Sequence, residues 1–238
     1  PTLPQADLDW PCYAAGRTRG LPWFLLSARL VAQAGYRVQL HGADTPVRAH
    51  LAAASIPVGP AAGTVSYLPL EAIHPRLWDL LGLRAVLGLR SCINTICRML
   101  NPGRARASVQ GVFHPSYREL QANAAQLLGW DALSVIKGGG GEFERHPGKD
   151  VVGFGLRGGA RVEHRFKALD PVKGRLADGA MAEDLRGVWD GTVTDAFAMQ
   201  VVIGTAALAL DTLGESAPQQ AAEQLWAKRH GAQKETAA

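Results

Sequence analysis

Four consecutive glycines, Gly138–Gly141, directly follow the apolar run Ala132–Ile136 and lead into Glu142, Glu144, Arg145 and His146. A glycine loop leaving a strand can bring backbone amides close to a phosphate or carboxylate, because no Cβ stands in the way. The same residues also suit a plain turn. Glu142 and Glu144 are spaced so that one loop can offer two carboxylates to a divalent ion, although glutamates beside glycines are commonly solvated. No Gly-x-x-x-x-Gly-Lys-Ser/Thr, no Gly-x-Ser-x-Gly and no His-Glu-x-x-His occurs, and no Gly-x-Gly-x-x-Gly helix start follows the glycine loop. His41 and His74 each open a turn after an apolar stretch, where a histidine either does chemistry or hydrogen-bonds the backbone.

Charge is unevenly spread. Between Leu80 and Arg118 stand Arg84, Arg90, Arg98, Arg104, Arg106 and Arg118, with no Asp or Glu, whereas the stretch from Met181 onward is acidic. The formal net charge is only +4. A chain so divided can present one positive face while being nearly neutral in total, or can pair those arginines with acids elsewhere.

The elements that must position these residues follow from periodicity. The 238 residues, 47% hydrophobic and 19% charged, suffice for a large buried core and argue against disorder. Apolar runs such as Leu21–Ser27 and Val201–Leu210 are short of a membrane span, so no membrane is expected. No secretory signal opens the sequence, and its three cysteines, Cys12, Cys92 and Cys97, lack Cys-x-x-Cys spacing. A cytoplasmic location is the expectation, with no metal site. Residues 1–10 read as a linker, and an N-terminal segment is expected to precede them. Helices are expected over Leu21–Ala34, from Pro46 to Ser55, over Ser91–Leu100 and over Ser116–Leu128. Strands are expected over Tyr36–Leu40, Thr64–Leu68, Ala107–Val112 and Ala132–Ile136, with a loop carrying His74-Pro75. Residues 147–180 hold a hairpin and a loop, with Val151–Leu156 and Ala160–Phe166 flanking Arg157-Gly158-Gly159. Residues 181–238 hold three closing helices, Met181–Val188, Thr194–Leu213 and one capped by Ser216 with Gln219 three residues on. The alternation predicts one α/β domain with a mainly parallel central sheet and helices on both faces.

His74-Pro75, Arg84, Leu87-Gly88-Leu89-Arg90, Asn94 and Asn101-Pro102, followed by the strand Val109-Gln110-Gly111-Val112, resemble the anthranilate phosphoribosyltransferase family (glycosyltransferase family 3). The resemblance covers most of residues 10–145 and, more weakly, the helical end. It implies the large domain of that fold, a small N-terminal helical subdomain outside these residues, and a homodimer formed through that subdomain. It also aligns Cys12-Tyr13-Ala14-Ala15-Gly16 with the family's phosphate loop and Pro22-Trp23-Phe24-Leu25 with its Asn-x-Ser-Thr. Leu40-His41-Gly42-Ala43 falls on its Lys-His-Gly-Asn, and Phe143-Glu144 on its Mg²⁺-holding Asp-Glu. Most of those positions lack the glycine, hydroxyl, amide or carboxylate that the family uses. His41, Arg84 and Glu144, with Gly138, Gly139 and Gly140, are the expected remnant of a substrate site.

The stretches PWFLLSA, Arg90–Pro102, Gln110–Tyr117 and Lys137–Arg145 are similar to the divergent YbiB-type branch of that family, which is associated with DNA binding without sequence specificity. The resemblance implies that nucleic acid, with DNA the favoured form, is the partner and that no cofactor is needed. Arg84, Arg90, Arg98, Arg104, Arg106, Lys137, Arg145 and Lys149 are the expected contacts, with phosphate rather than base readout. The alternatives are an active glycosyl or phosphoribosyl transferase on an unidentified anionic substrate, with Mg²⁺ as its cofactor, and an interaction protein that keeps the fold for dimerisation.

Overall fold

A computed structural model describes residues 3–14, 20–43, 47–60, 63–88, 92–169, 174–176 and 182–230. Its first strand, β1 (Leu8–Cys12), is buried throughout and forms a central strand of the sheet. The linker expected up to residue 10 therefore stops at Asp7. Prolines at 4 and 11 disguised a strand whose Leu8, Trp10 and Cys12 all point into core.

Helix α1 (Phe24–Gln33) follows, ending before Gly35 at φ +93°. Strands β2 (Val38–Gly42) and β3 (Val65–Pro69) come next, with a 3₁₀ turn at Arg48–His50 between them. The longer helix expected from Pro46 to Ser55 does not form over the described residues. Residues 51–55 are turns instead, and Ser55 takes φ +55°. A short α2 (Leu70–Ile73) leads to α3 (Pro75–Leu87), where a loop was expected. Here His74 is the N-cap, its Nδ1 accepting from the Leu77 amide at 3.3 Å, Pro75 is the first residue, and Gly88 at φ +68° closes the helix. α3 buries none of its residues fully, so its amphipathic signal was weak.

Helix α4 (Ile93–Cys97), strand β4 (Ala107–Val112), helix α5 (Tyr117–Leu127) and strand β5 (Ala132–Lys137) complete the parallel half. The hairpin of β6 (Val151–Arg157) and β7 (Ala160–Phe166) turns through Gly158 and Gly159 at φ +57° and +73°, the paired left-handed geometry of a two-residue hairpin turn. Three helices close the fold, α6 (Ala182–Asp190), α7 (Ala196–Leu213) and α8 (Pro218–Lys228). Asp195 caps α7 by accepting the Ala198 amide at 2.9 Å. Ser216 does not cap α8. Ala217 holds that position, and Pro218 sets the start.

The seven-stranded sheet has the order β3-β2-β1-β4-β5-β6-β7, parallel through β5 and antiparallel from β6. Helices α1, α7 and α8 pack together over one face, and α7 is buried along most of its length although it is apolar enough to cross a membrane by composition. Helix α5 covers β4–β6 on the other face through Ala122, Ala125, Leu133, Val135 and Leu156. A third cluster seats α3 and α4, the latter through Cys97, against Tyr13, Ala43 and Leu70 above the carboxyl ends of the strands. On the β7 edge Arg161, Glu163 and Arg165 stay exposed, which discourages edge-to-edge pairing.

Gly155 lies in β6 opposite Ser134 of β5. A Cβ there would meet the Leu133 carbonyl oxygen at 1.7 Å. Gly155→Ala is expected to lower stability by about 1–3 kcal/mol, the usual range for overpacking against backbone, read as a lower urea midpoint at unchanged slope.

Candidate functional site

The chain runs outward from β1 in both directions, to β2 and to β4, so the sheet order reverses between β1 and β4. In open α/β sheets a crevice forms at the carboxyl ends of such a pair. Here it is a cavity of about 460 Å³, lined among others by Tyr13, Asn94, Arg98, Phe113, His114, Tyr117, Gly140 and Gly141. Beside it, across the glycine loop, lies a second cavity of about 360 Å³. Gly138 and Gly139, Arg118, Lys137, Glu144, His146, Lys149 and Asp150 are among the residues that line it.

The glycine loop is built for close packing. A Cβ on Gly138 would meet the Glu142 carbonyl oxygen at 1.6 Å, and one on Gly111 would meet the Glu142 carbonyl carbon at 2.0 Å. The amides of Gly138, Gly139 and Gly141 donate to the carbonyls of Val112, Glu144 and Gly138. Those three amides are thus spent on backbone carbonyls of the loop and of β4.

Folding back so tightly carries both glutamates inward. Glu142 Oε1 accepts the Ala14 amide at 2.9 Å, and Glu144 Oε2 accepts the Phe24 amide, at the first turn of α1, at 3.0 Å. Both carboxylates are buried. A negative charge at a helix N-terminus is well placed electrostatically. Between them Phe143 is fully buried and meets Trp10 edge-on at 5.4 Å between ring centres.

Tyr13 is buried too. Its hydroxyl lies 2.9 Å from His41 Nδ1, and His41 Nε2 approaches Asp9 Oδ1 to 3.0 Å without hydrogen-bond alignment. Ser108 donates to the other Asp9 oxygen at 2.8 Å. Burial pushes the Tyr13 phenol far up, so it remains protonated. His41 thus sits inside a polar chain beneath the crevice and is not exposed to it. Composition gave no sign of this chain, because its members come from three strands and one loop.

The expected cations disperse. Arg98 lines the crevice, its guanidinium donating to the Tyr13 carbonyl at 3.1 Å and the Asn94 carbonyl at 2.9 Å. Burial lowers its pKa, opposed by the charge of Glu142. Arg104 and Arg106 precede β4 and lie at the other end of the strand, about 20 Å away at 3.3 Å per residue. Arg106 donates to the Leu213 carbonyl there. Arg84 is exposed in the last turn of α3. Arg90 lies outside the described residues.

Arg145 is only 3% exposed. Its guanidinium donates to the Lys167 carbonyl and its amide to Thr205 at 2.9 Å, so it ties the loop to α7 and offers nothing to a surface ligand. The expected surface contact at Arg145 is thereby corrected: packing against α7 swallowed a residue that sequence position alone left outside.

Lys137 and Lys149 do converge on the second cavity, and Arg118 joins them. Among the described residues neither lysine has an acidic partner within salt-bridge distance. Asp150, on the same rim, accepts the Ala168 amide and lies 4.0 Å from Arg165. Arg118 donates to the Pro115 and Val152 carbonyls and stacks over Phe154 at 4.8 Å. His146 is pushed toward its neutral form by burial and by the charge of Lys149. Arg118 was visible in the arginine run, but only the geometry joins it to the two lysines.

No protein-family model matches the chain. Its fold, however, is that of the anthranilate phosphoribosyltransferases. The Thermus thermophilus enzyme superposes with a TM-score of 0.72 at 18% identity, covering 92% of this chain and 71% of that one. The Saccharomyces cerevisiae enzyme in complex with PRPP and Mg gives 0.74 at 13%, covering 97% and 72%. Anthranilate phosphoribosyltransferases are also among its homologues in sequence. That of Halobacterium salinarum is 30% identical over 137 residues, 55% of this chain and 41% of the relative. An uncharacterized protein of Aquifex aeolicus is 36% identical over 121 residues, 51% and 36%. Each of these two sequence matches spans less than half of the relative's own length.

A magnesium ion would need carboxylates free to face it. Phe143 has no side-chain oxygen, Glu142 and Glu144 each place an oxygen on a backbone amide, and no group of three or more His, Cys, Asp or Glu gathers among the described residues. The donor set at this loop does not suit the ion. Phe143→Asp is expected to cost about 3 kcal/mol or more, because it removes a buried ring and buries an unpaired charge. Thermal unfolding should report the loss, and added Mg²⁺ should not restore the melting temperature.

Proposed function

We propose that the chain binds nucleic acid through its phosphates, without reading sequence, on a phosphoribosyltransferase-like fold whose pyrophosphate and Mg²⁺ motifs have been lost. The observation that carries this reading is the cluster of Arg118, Lys137 and Lys149 around one cavity, with both lysines free of acidic partners among the described residues. Glu142 and Glu144 of the adjacent loop are buried with one oxygen each on a backbone amide, and Glu144 and Asp150 share the lining of that cavity with the three cations. Unpaired surface lysines beside a groove are the usual footprint of phosphate binding. The buried positions of Tyr13 and Phe143 support the loss of the family's substrate cradle. The exposed apolar residues Leu80, Leu83, Val86 and Leu87 of α3 support packing against further helices, in keeping with a helical subdomain and a homodimer.

On duplex DNA, log affinity is expected to fall linearly with log salt. Lys137→Ala and Lys149→Ala should each make the slope shallower by about 0.9, equally for unrelated sequences. Arg104→Ala, at the far end of β4, should leave affinity and slope unchanged. Fluorescence anisotropy across a salt series measures all three. Unaltered slopes in the lysine variants, or no binding at low salt, would overturn the reading.

A transferase acting on an anionic small molecule is the second reading, favoured by the crevice at the strand switch with Arg98 and Asn94 in its wall. Calorimetric titration with phosphoribosyl pyrophosphate and Mg²⁺ is expected to give no heat of binding. A saturable signal would favour the transferase.

A further inference from the structure

We infer that the strand bound here is single, and that its bases stack on Phe113, His114 and Tyr117 while its phosphates follow Arg118, Lys137 and Lys149. This deepens the proposed function and rests on it. Phe113 is 53% exposed and Tyr117 40%, and His114 between them is exposed as well. The rings form one array. Phe113 and His114 meet edge-on at 5.0 Å between centres, and His114 and Tyr117 lie tilted at 6.4 Å.

All three rings line the crevice at the strand switch rather than a flat surface. Their backbone is held on both sides, since Phe113 directly follows β4 and Tyr117 opens α5. The array is therefore set in place before anything binds. Large aromatic faces left in water are costly unless something covers them, and every nucleobase offers a flat face that can.

The first turn of α5 joins the two cavities. Tyr117 faces the crevice, and the next residue, Arg118, lines the cationic cavity. The glycine loop makes the same junction from the other side, with Gly140 and Gly141 on the crevice and Gly138 and Gly139 on the cationic cavity. Bare glycines keep that junction low. Aromatic and cationic surfaces thus lie side by side, as bases and phosphates do along an unpaired strand. A duplex hides its base faces inside the stack and could use only the cationic half.

Three probes of equal length, about 20 nucleotides, separate the possibilities: oligo-dT, an abasic deoxyribose-phosphate strand, and a mixed-sequence duplex. Oligo-dT is expected to bind most tightly. The double variant Phe113→Leu/Tyr117→Leu should weaken oligo-dT binding by about fivefold or more while leaving the abasic strand and the salt slope unchanged. The double variant Phe113→Tyr/Tyr117→Phe should keep oligo-dT binding, because it keeps both rings. Melting temperatures of the variants check that each is folded, which the exposure of both residues favours. Equal affinity for oligo-dT and the abasic strand, or no effect of the leucine variant, would overturn stacking and leave phosphate binding standing. Failure of all three probes to bind at low salt would instead remove the proposed function itself, and the stacking with it.

Discussion

One close approach organises this molecule: the segment after β5 folds back against the end of β4 with no room for a side chain at Gly111 or Gly138. That contact drives Glu142 and Glu144 into the interior. Once there, each must find a donor, since a buried carboxylate without partners is strongly unfavourable. The amides they find belong to Ala14, just beyond β1, and Phe24, at the start of α1. Two charge-assisted bonds thereby link the far side of the parallel sheet to the chain's first crossover. Phe143, lodged between the two acids in sequence, locks the same segment into the main core beside Trp10.

Function is constrained by this arrangement. Glu142 and Glu144 each spend an oxygen on a backbone amide, and the amides of Gly138, Gly139 and Gly141 are spent on backbone carbonyls. The two cavities beside the loop differ in their linings: Arg118, Lys137 and Lys149 with Glu144 and Asp150 in one, and Phe113, His114 and Tyr117 with Arg98 in the other. The proposed use of the site follows from that difference: lysines without an ion-pair partner among the described residues, and ring faces without a core to cover them.

The polar chain from Ser108 through Asp9 and His41 to Tyr13 shows the same economy of roles. A histidine at the end of a strand was a reasonable candidate for chemistry. Its ring nitrogens instead face a phenol and a carboxylate in the interior, where they fix the ends of β1 and β2 relative to each other. Arg145 follows the same course, spent on Thr205 and Lys167 because α7 packs over it. Arg98 is spent in part, its guanidinium fastening α4 to the end of β1 while still lining the crevice.

The order and kind of most elements were legible in the residues alone. Ala107–Val112 and Ala132–Ile136 read as strands, the second as a buried one from its mostly apolar residues, and the paired glycines at 158 and 159 marked the hairpin. Local chemistry decides such features, so a window of a few residues reveals them. Helix α3 was not legible, since a helix that buries no residue fully leaves little periodic trace. Which charged residues reach solvent together was settled only by tertiary packing. Arg98 and Arg106 are near neighbours in sequence but stand at opposite ends of a strand, whereas Arg118, Lys137 and Lys149 share one cavity from well-separated positions. Exposure and convergence depend on which elements pack over a residue, and that is fixed by contacts between distant parts of the chain.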